Sequence, residues 1–266
     1  MPGTIVAKQD GEPSHRQFRI DGISVDALSV PEAARSICKE LTRTRRPFGV
    51  HTINLDHIAK LRSDKAFRAT YERAKFVLPD GFPIVLAGRL CGVDVHRAAG
   101  SDLIEPLCRE AAARRVPVMF YGSDFQVLAA AAKELVRRIP DLQIAGAYAP
   151  GQIDPRNKEK LEGTAYLRDC GGAICFLALG APKQELAAAR LAAEIDRPVA
   201  MVCIGAGLDF IGGKEKRAPH FAQAYGLEWL WRWASSPRRL TARYIDCFRV
   251  LPSVLASGLR RAEQDR

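Results

Sequence analysis

Apolar positions along this chain fall into short unbroken runs, separated by longer stretches in which they recur every three or four residues. The runs FGVHTI (48–53), FVLP (76–79), PVMFYG (117–122), LQIAGAY (142–148), AICFLAL (173–179) and VAMVCIGAG (199–207) read as strands. Helical spacing occupies 29–45, 55–74 as one helix or two, 82–90, 101–115, 124–139, 154–170 and 182–195. Strands alternating with helices of this length predict parallel βαβ units with helices on both faces of one sheet. Ahead of them, QFRIDGISVDAL (17–28) holds two short strand-like runs joined at Asp21-Gly22, a hairpin signal.

The alternation stops near Gly212-Gly213. The remainder carries all three tryptophans, and its eleven basic and five acidic residues supply +6 of the chain's net +10. Three units are therefore expected: a loose leader over 1–16, an α/β domain over 17–213, and a basic, Trp-rich helical appendage over 214–266. On a helix Trp229 and Trp233 share a face that Trp231 opposes, so either two sides are buried or an apolar face is offered to a membrane or partner.

With 47% hydrophobic and 26% charged residues the composition is ordinary for a globular protein. No apolar run reaches the roughly 18 residues of a membrane span. The seven cysteines form no C-x-x-C pair and the five histidines no ligand spacing, so a reducing compartment is expected and no metal site. The positive charge asks for an anionic partner, yet no nucleic-acid-binding motif accompanies it.

Ligands of an open parallel sheet collect outside the carboxyl ends of its strands. That rule selects Thr52 and Asn54 after one strand, Asp80 in the turn Pro79-Asp80-Gly81 after another, Gly122 after a third, Gln184 in GAPKQE and Gly205 and Gly207 in GAGLDF. Gln184 reads either as a donor to a diphosphate or sugar hydroxyl, or as a solvated helix-start residue beside a solvated Glu185. The glycines would let backbone N–H groups approach a phosphate. A dinucleotide fingerprint at 205–210 fails because Phe210 stands where a small residue is needed. No D-x-D and no G-x-S-x-G occurs, so arginines such as Arg97 are the expected partners of a leaving diphosphate.

The ordered set TINLDH, VLPDGFPIV, RAAGSDL, FYGS, LGAPKQE, IGAGLDFIGG, RAPHFAQAYGLEWLWR and PRRLTARY resembles the WecG/TagA/CpsF glycosyltransferases, glycosyltransferase family 26, from about Phe18 to Leu251. The resemblance implies an inverting enzyme that uses neither metal nor cofactor and moves a sugar from a UDP-sugar donor to a sugar on a polyprenyl-diphosphate carrier. It implies Asp80 as general base, Thr52, Asn54, Arg97 and Gln184 as substrate-binding residues, and a tail, including Arg232, Arg238, Arg239 and Arg243, that completes the site. It also implies a cytoplasmic protein held peripherally at an anionic membrane surface on the inner face of the plasma membrane, and it leaves a homo-oligomer open. Phe82 and Pro83 stand where small or aliphatic residues are also common in the family. The expected fold class is α/β: a Rossmann-like, mostly parallel sheet with an N-terminal hairpin and a C-terminal helical appendage. An NAD-dependent oxidoreductase and a non-enzymatic nucleotide-sugar-binding protein are the competing readings.

Overall fold

A computed structural model of the chain describes residues 15–157, 161–169, 173–215, 228–235 and 237–264. A hairpin, β1 (Gln17–Ile20) and β2 (Ile23–Asp26), precedes α1 (Val30–Arg43). The parallel sheet is built from β3 (Phe48–Ile53), β4 (Phe76–Pro79), β5 (Val118–Gly122), β6 (Ile144–Tyr148), β7 (Ala173–Ala178) and β8 (Val199–Cys203), in the spatial order β4-β3-β8-β7-β5-β6. Every pairing in it is parallel, so all six carboxyl ends share one rim.

Both faces are covered, as near-continuous apolar strands require. On one side α1, α5 (Gly100–Ala113) and α6 (Phe125–Arg138) pack against Val50, Leu78, Val118, Phe120, Ile174, Phe176 and Val202. The alternate residues Met119, Tyr121, Cys175, Leu177, Met201 and Cys203 meet α8 (Lys183–Glu194) on the other side. There α2 (Leu55–Ser63), α3 (Lys65–Arg73), α4 (Phe82–Leu90) and the hairpin form a further cluster with Ile53 and Val77. The pair α2 and α3 divides the single stretch at 55–74, because Asp64 ends the first helix and accepts the Phe67 N–H to cap the second.

The edge strand β4 is not left open. The buried Asp26 carboxylate accepts the Val77 N–H at 2.7 Å and the Gln17 side-chain amide at 2.6 Å, sealing that edge with the hairpin.

The helix expected over 154–170 is corrected to the short α7 (Thr164–Asp169), residues 158–160 lying outside the described chain. Gly163 explains the break: its φ is +85°, and a Cβ there would lie 2.9 Å from the Tyr148 ring. After the short α9 (Gly207–Ile211) come α10 (Glu228–Ser235) and the long α11 (Pro237–Gln264). This last helix packs on α2 and α4 and puts Val250 and Val254 into the same cluster as Phe18, Ile20 and Ile84.

Candidate active site

Register decides which residues meet at the rim. Thr52 pairs with Leu78 and Ile53 with Pro79, and the Asp80 N–H donates to the Ile53 carbonyl at 2.9 Å, extending the ladder one step. Asn54 and Asp80 therefore emerge side by side. Asn54 caps α2, its Oδ1 accepting the His57 N–H at 3.1 Å, which turns its Nδ2 toward Asp80 Oδ2 at 3.2 Å. On the other flank the Ala98 N–H donates to the Pro79 carbonyl at 2.7 Å and fixes the segment that carries Arg97. The Arg97 guanidinium lies 3.8 Å from Asp80 Oδ1 and 2.6 Å from Asp102 Oδ2 in the first turn of α5. Held from both sides, the Asp80 side chain still keeps 25% of its surface open.

Beneath this corner lies a buried polar layer. The Thr52 carbonyl accepts from the Tyr71 hydroxyl at 2.7 Å and from His57 Nδ1 at 2.8 Å, so the carbonyl assigns the proton of that imidazole to Nδ1. Burial lowers His57 and His51 to about 4, leaving both rings neutral at neutral pH. Thr52 is itself buried, and strand alternation sets its side chain on the face of Val50.

The other half of the rim is built differently. Gln184 is buried, and both ends of its amide have protein partners: Nε2 donates to Glu185 Oε1 at 2.8 Å, and Oε1 accepts the Gly205 N–H at 2.9 Å. The solvated Gln184 and Glu185 of one reading are thereby corrected, since both side chains are enclosed between α8, α3 and the sheet. The Gly205 N–H is committed to Gln184. Gly122 and Gly207 answer to packing, because an added Cβ would lie 2.6 Å from the Ala178 carbonyl oxygen and 2.5 Å from Ile104 Cδ1 respectively.

The tail reaches the rim through Arg243, which pairs at 3.0 Å with the buried Asp56 in the first turn of α2 and shares that carboxylate with Lys60. Arg238 is exposed at the start of α11; the side chains of Arg232 and Arg239, and that of Trp229, lie outside the described residues. Trp231 and Trp233 are both exposed, so for these two the helix buried on two sides is replaced by an outward-facing pair. A cleft of about 340 Å³ is lined by Asp102 with residues of α5 and α6, and one of about 510 Å³ by Asp56, Lys60 and Arg243 along α2 and α11; Asn54, Asp80 and Arg97 line neither. Phe82, the first residue of the helix that follows Asp80, is 58% exposed. Among the described residues no three His, Cys, Asp or Glu side chains converge at metal-binding spacing.

Structure thus brings Asn54, Asp80 and Arg97 into one constellation, with Thr52 buried in β3 and Arg243 paired with Asp56. It adds three residues that sequence reasoning missed. Asp102 holds Arg97, a pairing hinted at by its place five residues on in the motif RAAGSDL. Asp56 holds Arg243, and nothing local in the sequence signals a contact between segments so far apart. Glu185 is buried behind Gln184, and in an alanine-rich helix no apolar stripe identifies the inward face.

A curated N-acetylglucosaminyldiphosphoundecaprenol N-acetyl-beta-D-mannosaminyltransferase from Bacillus spizizenii is 32% identical over 174 residues, which is 65% of this chain and 65% of that protein. The chain thus spans somewhat less than two thirds of the relative's length. The model of the glycosyl transferase WecG/TagA/CpsF family matches residues 18–264, nearly everything from the hairpin to the end of α11. Across that span, with its single parallel rim and the Asn54–Asp80–Arg97 corner, the chain belongs to the WecG/TagA/CpsF family of glycosyl transferases.

Proposed function

We propose that this protein transfers a sugar, of the N-acetylmannosamine type in the first instance, from a UDP-sugar to an acceptor sugar carried on a polyprenyl diphosphate. The observation that carries the reading is the Asp80 carboxylate, oriented by an Asn54 amide and an Arg97 guanidinium at the common rim of a parallel sheet and still open to an incoming group. Family membership and the activity of the Bacillus relative support the transferred sugar and the acceptor class.

In the reaction an acceptor hydroxyl attacks the anomeric carbon from the face opposite the nucleotide. Its proton passes to an Asp80 oxygen as the new C–O bond forms. The bond from the anomeric carbon to the diphosphate breaks, its electron pair leaves with UDP, and the configuration inverts. Asn54 and Arg97 hold the carboxylate in place, so the base does not have to be oriented at the moment of reaction. Arg97 is paired with Asp102 as well as with Asp80; a guanidinium there and Arg243 on α11 suit the charge that builds on the departing diphosphate.

An acceptor on a polyprenyl diphosphate is a membrane lipid, so the proposed reaction takes place at a lipid surface. No helix among the described residues is long and apolar enough to cross a membrane. Exposed Leu230, Trp231, Trp233 and Ile245, with Arg238 close in sequence, suit a peripheral contact with anionic lipid.

Transfer of label from a panel of UDP-sugars to polyprenyl-diphosphate acceptors differing in their first sugar tests the reading. Transfer from UDP-N-acetylmannosamine to an N-acetylglucosamine-terminated acceptor, stimulated by anionic vesicles, is the expected result. Absence of transfer across the panel, with or without vesicles, contradicts it.

A further inference from the structure

Behind the rim, Glu185 is a buried carboxyl that the transfer reaction does not use. It is fully enclosed, and its Oε2 has no hydrogen-bond partner among the described residues. The charged and titratable groups that face it are Lys60 and Asp56 from α2, Tyr71 from α3 and Cys203 from β8. Lys60 is committed to Asp56 and to the Ala181 carbonyl. Burying a carboxyl with one oxygen unsatisfied is unfavourable. A leucine of similar volume would serve stability better, so the acid has another use.

That use is visible in the side-chain hydrogen bond it makes with Gln184. The two ends of a glutamine amide have nearly the same shape and opposite hydrogen-bonding character. The Gly205 N–H can only donate, so it requires Gln184 Oε1, which it meets at 2.9 Å. The Gln184 Nε2 then points into the protein and requires an acceptor, and Glu185 Oε1 provides it at 2.8 Å. Gly205 opens the turn after β8, the strand next to β3 and hence to the exit that carries Asn54.

We propose that Glu185 is a positioning residue: it sets the orientation of the Gln184 amide, which pins the Gly205 N–H and holds the β8 exit as a fixed floor for the transfer site. The catalytic part of this proposal rests on the transferase reading above; the latch itself does not. An acceptor oxygen is needed and a negative charge is not, because a protonated carboxyl and a carboxamide both present one. Glu185→Gln therefore keeps the latch, whereas Glu185→Leu leaves the Gln184 Nε2 buried without a partner and frees the amide to turn.

The experiment is amide hydrogen exchange at Gly205, read by nuclear magnetic resonance on the full chain, alongside transfer kinetics. Wild type and Glu185→Gln should protect the Gly205 amide equally. Glu185→Leu should lose about tenfold in protection and about 3- to 10-fold in kcat/KM, the loss of one net hydrogen bond. In the wild type the Gln184 side-chain amide protons should themselves exchange slowly, a measurement that needs no variant to fold. Unchanged Gly205 protection in Glu185→Leu, or rapid exchange of the Gln184 side-chain amide in wild type, overturns the latch. Equal kinetic damage in Glu185→Gln and Glu185→Leu overturns the requirement for an acceptor alone. Wild-type protein that turns over no donor, yet shows the expected exchange pattern, would refute the transferase reading while upholding the latch.

Discussion

The rim of this sheet has two halves made on opposite plans. At the exits of β3 and β4 the polar groups are the short side chains of Asn54 and Asp80, and the Asp80 carboxylate stays partly open although Asn54 and Arg97 both hold it. At the exits of β8, β7 and β5 the polar groups close on one another: Gln184 takes the Gly205 N–H, Glu185 takes Gln184, and Ser123 Oγ donates to Asp209 at 2.8 Å. One half presents chemistry and the other supplies rigidity. The halves also lean on different supports, since the hairpin, α4 and α11 back the first, whereas α8 and the strand interiors back the second.

The largest effect should come from removing the support of one half alone. Deletion from Lys214 onward takes away Val250 and Val254, each buried against the hairpin and α4 and each worth roughly 1.5–3 kcal/mol of burial. Transfer should be lost altogether. Hydrogen-exchange protection should fall in β1, β2 and α4 while β7 and α8 keep theirs; a uniform loss would show that the halves are not independently supported.

A smaller effect sharpens the contrast from the other side. Burial raises the Glu185 carboxyl from 4.5 to about 7. Between those values the folded protein binds a proton that the unfolded chain does not, so this group's contribution to stability falls as pH rises and levels off above about 7. Glu185→Gln carries no such titration. Its stability relative to wild type should therefore increase by roughly 3 kcal/mol between pH 4.5 and pH 8, read from denaturant midpoints. A difference that stays flat with pH would mean that Glu185 is not enclosed as described.

Much of the first half was legible in the chain. Apolar runs located the strands, the strand-exit rule chose Asn54 and Asp80, and helical spacing set α1, α5, α6 and α8. The second half was less so, because its polar residues are paired with each other and a sequence does not say which polar residues are inside. Gln184 read equally as a substrate donor or, with Glu185, as a solvated helix start, since KQELAAARLAAE has too few large apolar residues to mark a buried face. The helix expected over 154–170 failed for a related reason. Its charged composition has helical character, but Gly163 answers to the rings of Tyr148 and Tyr121, which belong to strands distant in the chain. Likewise the basic tail announced a contact with anions, and only the fold shows Arg243 resting on Asp56.

The direct test of the outward half is kcat and KM measured separately for Asp80→Asn, a change that keeps the shape and the contact with Asn54 while removing the base. With donor and acceptor saturating, kcat should fall by about 10²- to 10⁴-fold with both KM values within about threefold of wild type. A variant that turns over at near wild-type kcat would contradict the assignment of the proton to Asp80.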